Sequence, residues 1–107
     1  MSAKPAWLIQ LLLPTRDNQG QPIGNDAFAS VRATLTDRFG GVTAYQRSPA
    51  SGSWRRPDGG VDGDELVMVE VQTDILDRSW WTVFKAQLES QFRQETILVR
   101  ASRIEAL

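Results

Sequence analysis

From Ala6 to Leu13 the chain is almost entirely apolar, and alternation divides it into two faces, Trp7, Ile9, Leu11 and Leu13 on one and Leu8, Gln10 and Leu12 on the other. This pattern predicts a strand buried on one side and half-buried on the other. The turn-rich segment Pro14–Gly24 follows. After it, Asn25 or Asp26 stands where it can cap a helix in which Phe28, Val31, Leu35 and Phe39 recur at spacings of three and four, and Gly40-Gly41 supplies the stop. Val42–Arg47 reads as a short strand. Glu65–Thr73 reads as a strong one, with Val67, Val69 and Val71 opposing Leu66, Met68 and Glu70. A second helix starting near Asp77 carries Trp81, Phe84, Leu88 and Phe92 along one stripe, with Lys85, Glu89 and Arg93 outside it. A last strand, Thr96–Arg103, sets Ile97, Val99 and Ala101 against Leu98, Arg100 and Ser102.

The predicted order is β-α-β-β-α-β, the split arrangement of the ferredoxin-like fold: an α+β domain spanning residues 1–107, with a four-stranded antiparallel sheet and two helices on one face. Right-handed crossovers put both helices on the same side. The layer facing them then holds Trp7, Ile9, Leu11, the three valines, Ile97 and Val99, which meet Phe28, Val31, Leu35, Trp81, Phe84 and Leu88 as core. Alternation turns Leu8, Gln10, Leu12, Leu66, Met68, Glu70, Leu98 and Arg100 to the other face. An apolar patch of that breadth calls for cover. A second copy related by a two-fold axis supplies it most economically, because such a contact reuses one patch and closes on itself. The expectation is a sheet-to-sheet homodimer, as in dimeric α/β-barrel members of this fold class. The competing covers are the long loop and the tail Ile104–Leu107.

Composition narrows the chemistry. In 107 residues, 12 Lys plus Arg nearly balance 13 Asp plus Glu, for a formal charge of -1, which argues against nucleic acid as a partner. With no Cys and no His, the chain has no thiolate nucleophile, no Ser-His dyad, no haem attachment site and none of the usual zinc ligands, so neither metal nor cofactor is expected. No run approaches the ~20 apolar residues of a membrane span, and Met1–Leu13 lacks the length of a signal peptide, so the expected address is cytoplasmic, without a membrane partner.

The candidate ligand-binding residues are Gln10, Tyr45, Trp54, Glu70 and Arg100. With the first strand between the third and the fourth, Gln10 is flanked by Glu70 and Arg100 on the open face, where a carboxylate and a guanidinium orient a polar ligand or satisfy one another across a dimer seam. Trp54, next to Arg55 and Arg56, lies in the Gly- and Pro-rich stretch 48–63 and has the composition of an interface anchor or of a lid. Tyr45 is the only phenol. Trp80 reads as an exposed or rim aromatic beside the core residue Trp81. Asp58, Asp62, Asp64 and Glu65 approximate a calcium loop, but Gly60 and Val69 occupy two of the positions that require oxygen ligands. Ser51-Gly52-Ser53 lacks the lysine and the helix start of a phosphate-binding loop.

The stretches Arg38-Phe39-Gly40-Gly41-Val42-Thr43-Ala44-Tyr45, Leu76-Asp77-Arg78-Ser79-Trp80-Trp81 and Phe92-Arg93-Gln94-Glu95, with Trp54, Gly60 and Glu65, resemble a group of small bacterial proteins of unknown function. The resemblance implies a ferredoxin-like domain of the dimeric α/β-barrel type and carries no activity, cofactor or catalytic residue. Two functional readings follow from the residues. One is a non-enzymatic homodimeric module that binds a small molecule or a protein. The other is a cofactor-independent monooxygenase- or isomerase-like enzyme in which Glu70, Arg100 and Tyr45 move a proton on an aromatic or keto substrate.

Overall fold

The computed structural model describes residues 6–47, 54–55, 61–62 and 66–107; the side chains of 44–47, 54–55 and 61–62 lie outside that description. The elements are β1 (Trp7–Pro14), α1 (Asn25–Phe39), β2 (Thr43–Arg47), β3 (Trp54–Arg55), β4 (Val61–Asp62), β5 (Leu66–Thr73), α2 (Arg78–Gln91) and β6 (Leu98–Arg103). β1, β5, β6 and the short β2 form an antiparallel sheet in the order β2-β5-β1-β6, and β3 pairs with β4 in a separate ribbon.

This corrects the expected plan of four strands and two helices in the order β-α-β-β-α-β. The frame is three longer antiparallel strands and two helices in the order β-α-β-α-β, namely β1, α1, β5, α2 and β6. β2 adds only a five-residue edge along β5, and the ribbon of two two-residue strands lies between β2 and β5, where one long tip had been expected. The physical reason is that alternation is unreadable over two residues, and the glycines and prolines of 48–63 leave no longer apolar run. The result is α+β with a ferredoxin-like arrangement rather than a plain β-α-β-β-α-β domain.

The core lies between the sheet and the helices. Ile9, Leu11 and Leu13 of β1, with Val69 and Val71 of β5, are buried against Val31 and Leu35 of α1 and Trp81, Phe84 and Leu88 of α2. Phe28 meets Phe92 edge-on at 5.2 Å. Trp80, expected to be exposed or at a rim, is half-buried: it stacks on Phe84 at 4.8 Å, and the guanidinium of Arg38 lies 4.4 Å from its ring centre.

The helix ends follow local chemistry, with two adjustments. α2 is capped by Asp77, whose carboxylate accepts from the Trp80 N–H at 3.1 Å. α1 starts one residue before Asp26 with Gly24 as its cap, so neither Asn25 nor Asp26 caps it; it stops at Gly40, which takes the left-handed φ of 79° that its missing Cβ permits. The last strand begins at Leu98 rather than Thr96, because Ile97 donates its N–H to the Glu89 carboxylate at 2.9 Å instead of to the sheet.

Candidate functional site

Register brings three of the five candidate residues together. Gln10 on β1 stands directly opposite Glu70 on β5 and Arg100 on β6, and Thr43 on β2 continues the row beyond Glu70. The Gln10 amide donates to the Glu70 carboxylate at 2.5 Å and accepts from Arg100 Nε at 2.8 Å; its nitrogen also lies 3.5 Å from Met68 Sδ. The amide dipole is therefore aligned, its donor end toward the anion and its acceptor end toward the cation. A neutral side chain joins opposite charges that flank it on the neighbouring strands, each ~4.8 Å away. The second Glu70 oxygen and the terminal nitrogens of Arg100 carry no further hydrogen bond among the described residues. Among the described residues, both ends of the row are free to engage something placed on this face.

Around the row, Leu8, Leu12 and Leu66 are half-buried, Met68 is buried, and Leu98 is 50% exposed. The tail does not lie over them: Ile104 donates to the Ala6 carbonyl at 3.0 Å, and Leu107 is fully exposed. Tyr45 pairs through its backbone with Met68, and Trp54 pairs with Asp62 in the ribbon. Their side chains, like most of the 48–63 stretch, lie outside the described residues.

Among the described residues, the concavities bordering the sheet include two, beside Glu70 and beside α2. One, of about 480 Å³, lies where α1 passes into β2 and is lined by Gly40, Gly41, Thr43, Glu70 and Gln72 among others, so Glu70 stands at its wall. The other, of about 290 Å³, runs between α2 and β6 over Ile9, Leu76, Trp81 and Val99, with Arg78, Thr82 and Lys85 among its rim residues.

A polar centre that the hydrophobic pattern does not reveal sits where the turn after β1 meets the end of α2. Asp17 is buried and accepts from the N–H groups of Gln19 and Gln21, each at 2.9 Å, and from Arg93 Nε at 2.9 Å. The Gln21 N–H, ahead of the other donors, holds this carboxyl below its ordinary pKa. Asp-Asn-Gln-Gly at 17–20 is turn chemistry, and that was the available clue. Glu89 is likewise held below the ordinary carboxyl range, first by the hydrogen bond from Lys85 and then by the Ile97 N–H. Asp17 locks a turn and Glu89 a strand entry, so both are structural.

No family model and no curated protein matches the chain. Solved structures do. A phage SAM lyase in complex with S-methyl-5'-thioadenosine superposes with a TM-score of 0.65 at 11% identity, over 96% of this chain and 84% of that one. A phage SAM lyase in its apo state gives 0.59 at 13% identity, over 96% and 86%. A point variant of CutA1 from Pyrococcus horikoshii OT3 gives 0.56 at 9% identity, over 94% and 85%. At such identities the likeness is one of fold alone. The chain is a small α+β module, and none of its helices among the described residues is long and apolar enough to cross a membrane.

Proposed function

We propose that the chain is a non-enzymatic binding module that pairs with a second copy through the open face of its sheet. The observation that supports this reading is the row Glu70–Gln10–Arg100, which carries a negative charge at one end, a neutral amide in the middle and a positive charge at the other. Laid face to face about a two-fold axis parallel to β1 and above Gln10, two such rows set Glu70 of each copy against Arg100 of the other. An axis along the row would instead oppose like charges. The self-complementary arrangement covers Leu8, Leu12 and Leu98, and it gives the unspent oxygen of Glu70 and the terminal nitrogens of Arg100 partners in a place sheltered from water. The test is sedimentation of the protein across a concentration series, with Glu70→Arg and Arg100→Glu variants alongside. A monomer at every concentration overturns the reading.

One observation favours a second reading. The recess beside Glu70 has room for a substrate from which that carboxylate takes a proton, the route of a cofactor-independent enzyme. Glu70→Gln discriminates: on the pairing reading it weakens self-association, whereas on the enzymatic reading it leaves association intact and abolishes turnover. The structural neighbours argue for neither, since the ligand and activity named for the SAM lyase belong to a protein that shares only the fold.

A further inference from the structure

The groove between α2 and β6 lies on the helix side of the sheet, shares only Arg100, at the β6 edge, with the proposed seam, and has walls that differ sharply in character. Its floor and inner wall are Ile9, Leu76, Trp81, Val99 and Ala101. Ile9 and Trp81 are buried, whereas Leu76 and Val99 are half-buried and Ala101 is exposed, so apolar surface is offered to whatever enters. Among the described residues, the charged ones lining the groove are all cations, Arg78, Lys85 and Arg100, and no Asp or Glu lines it.

These cations are not equally available. Lys85 is held by Glu89 at 2.5 Å and reaches Thr96 at 3.4 Å, and Arg100 gives its Nε to Gln10. The guanidinium of Arg78, on the first turn of α2, has no hydrogen bond or ion pair among the described residues. Asp77, its nearest neighbour of opposite sign in sequence, is occupied with Arg38 at 3.3 Å and with the Trp80 N–H. Arg78, Thr82 and Lys85 follow one another at spacings of four and three, so they share a face of the helix above the apolar floor. Trp81 adds a further unspent group, since its indole N–H is buried without a hydrogen-bond partner among the described residues. Leaving such a donor unmet is uncommon in folded proteins.

We infer that this groove is a binding site for a small amphiphilic anion, whose aromatic or short aliphatic body lies on Leu76, Trp81 and Val99 and whose carboxylate or sulfonate is held by Arg78. The volume of about 290 Å³, at the small end of ligand pockets, has room for a body of up to three aromatic rings. Charge complementarity selects the anion: an uncharged body would gain only the floor, and a cation would be repelled by the guanidinium of Arg78.

The test uses two probes with the same aromatic body, 8-anilinonaphthalene-1-sulfonate and the neutral N-phenyl-1-naphthylamine, followed by fluorescence titration and by the indole N–H resonance of Trp81. The sulfonate is expected to bind one per chain, to shift that resonance, and to lose about tenfold in affinity in Arg78→Gln, while the neutral probe is unaffected by that change. Ala101→Phe, which fills the groove from an exposed edge position, weakens both probes. Leu98→Ser, on the other sheet face, weakens neither. The inference is overturned if Arg78→Gln and Ala101→Phe leave sulfonate binding unchanged, or if Leu98→Ser abolishes it, which would place the probe on the open face.

Discussion

Arg93 donates from its Nε to the buried carboxylate of Asp17 at 2.9 Å, joining the turn after β1 to the end of α2 across 76 residues of chain. Arg93 also occupies a backbone position that glycine usually fills. Its φ is 51°, its N–H reaches the Ser90 carbonyl at 3.2 Å, and the next N–H, of Gln94, reaches Glu89 at 2.9 Å, the two bonds of a Schellman turn. A non-glycine residue in the left-handed region costs ~1–2 kcal/mol, so the bond to Asp17 holds the side chain in a place the backbone disfavours. Arg93→Ala keeps the strain and loses the bond, whereas Arg93→Gly loses the bond and relieves the strain. The glycine variant is expected to be the more stable of the two by about 1 kcal/mol in urea unfolding, and equal stabilities would contradict the strain argument.

Acid should weaken the fold through the same residue. Asp17 and Glu89 both have folded-state pKa values below their ordinary ones, Asp17 chiefly through the Gln21 N–H and Glu89 chiefly through Lys85. A depressed carboxyl stabilises the folded state above the unfolded pKa of about 4, and that contribution is lost as pH falls through the folded value. Tm should therefore stay nearly level from about pH 7 to 5, on this account, and drop below about pH 4. Asp17→Asn should lower Tm at neutral pH and make the acid drop shallower. An unchanged acid limb would show that other groups control it.

Asp77 has two roles that substitutions can separate, since it caps α2 through the Trp80 N–H and pairs with Arg38 at 3.3 Å, with both side chains substantially exposed. Loss of a cap costs ~0.5–2 kcal/mol, while an exposed ion pair contributes ~0–1 kcal/mol. Asp77→Ala should destabilise by about 1 kcal/mol. Asp77→Ser, which retains a capping oxygen but no charge, should recover most of that loss in chemical denaturation. If serine is as damaging as alanine, the ion pair is the larger contribution.

For the seam, Glu70→Arg and Arg100→Glu should each weaken self-association by at least about tenfold, because each sets like charges across the two-fold axis. The double variant Glu70→Arg/Arg100→Glu restores the alternation with its signs exchanged and should recover most of the affinity in sedimentation equilibrium. A double variant no better than either single one would place the axis in the other direction or the contact elsewhere.

By itself the sequence determined the periodicities and the chemistry of the ends. The alternation in 6–13 and 66–73 and the three-and-four spacing of Val31 and Leu35, or of Trp81, Phe84 and Leu88, are local consequences of strand and helix geometry, and the structure buries those residues. A helix start near Asp77 and Gly40 as a stop are equally local. Gln10 flanked by Glu70 and Arg100 was legible too, because a strand order and alternation together specify a register. The two-residue strands β3 and β4 were not legible, since so short a stretch carries no period. Nor was the Asp17–Arg93 bond, whose partners lie far apart in sequence and belong to no periodic stripe. The groove of Arg78 and Lys85 over Val99 was likewise hidden: α2 reads alone as a helix with solvated charges, and only its crossing over the β6 edge sets those charges beside an apolar floor. Local hydrogen bonding and burial fix elements from neighbours in sequence, whereas sites are made by contacts between elements, and those are decided by packing.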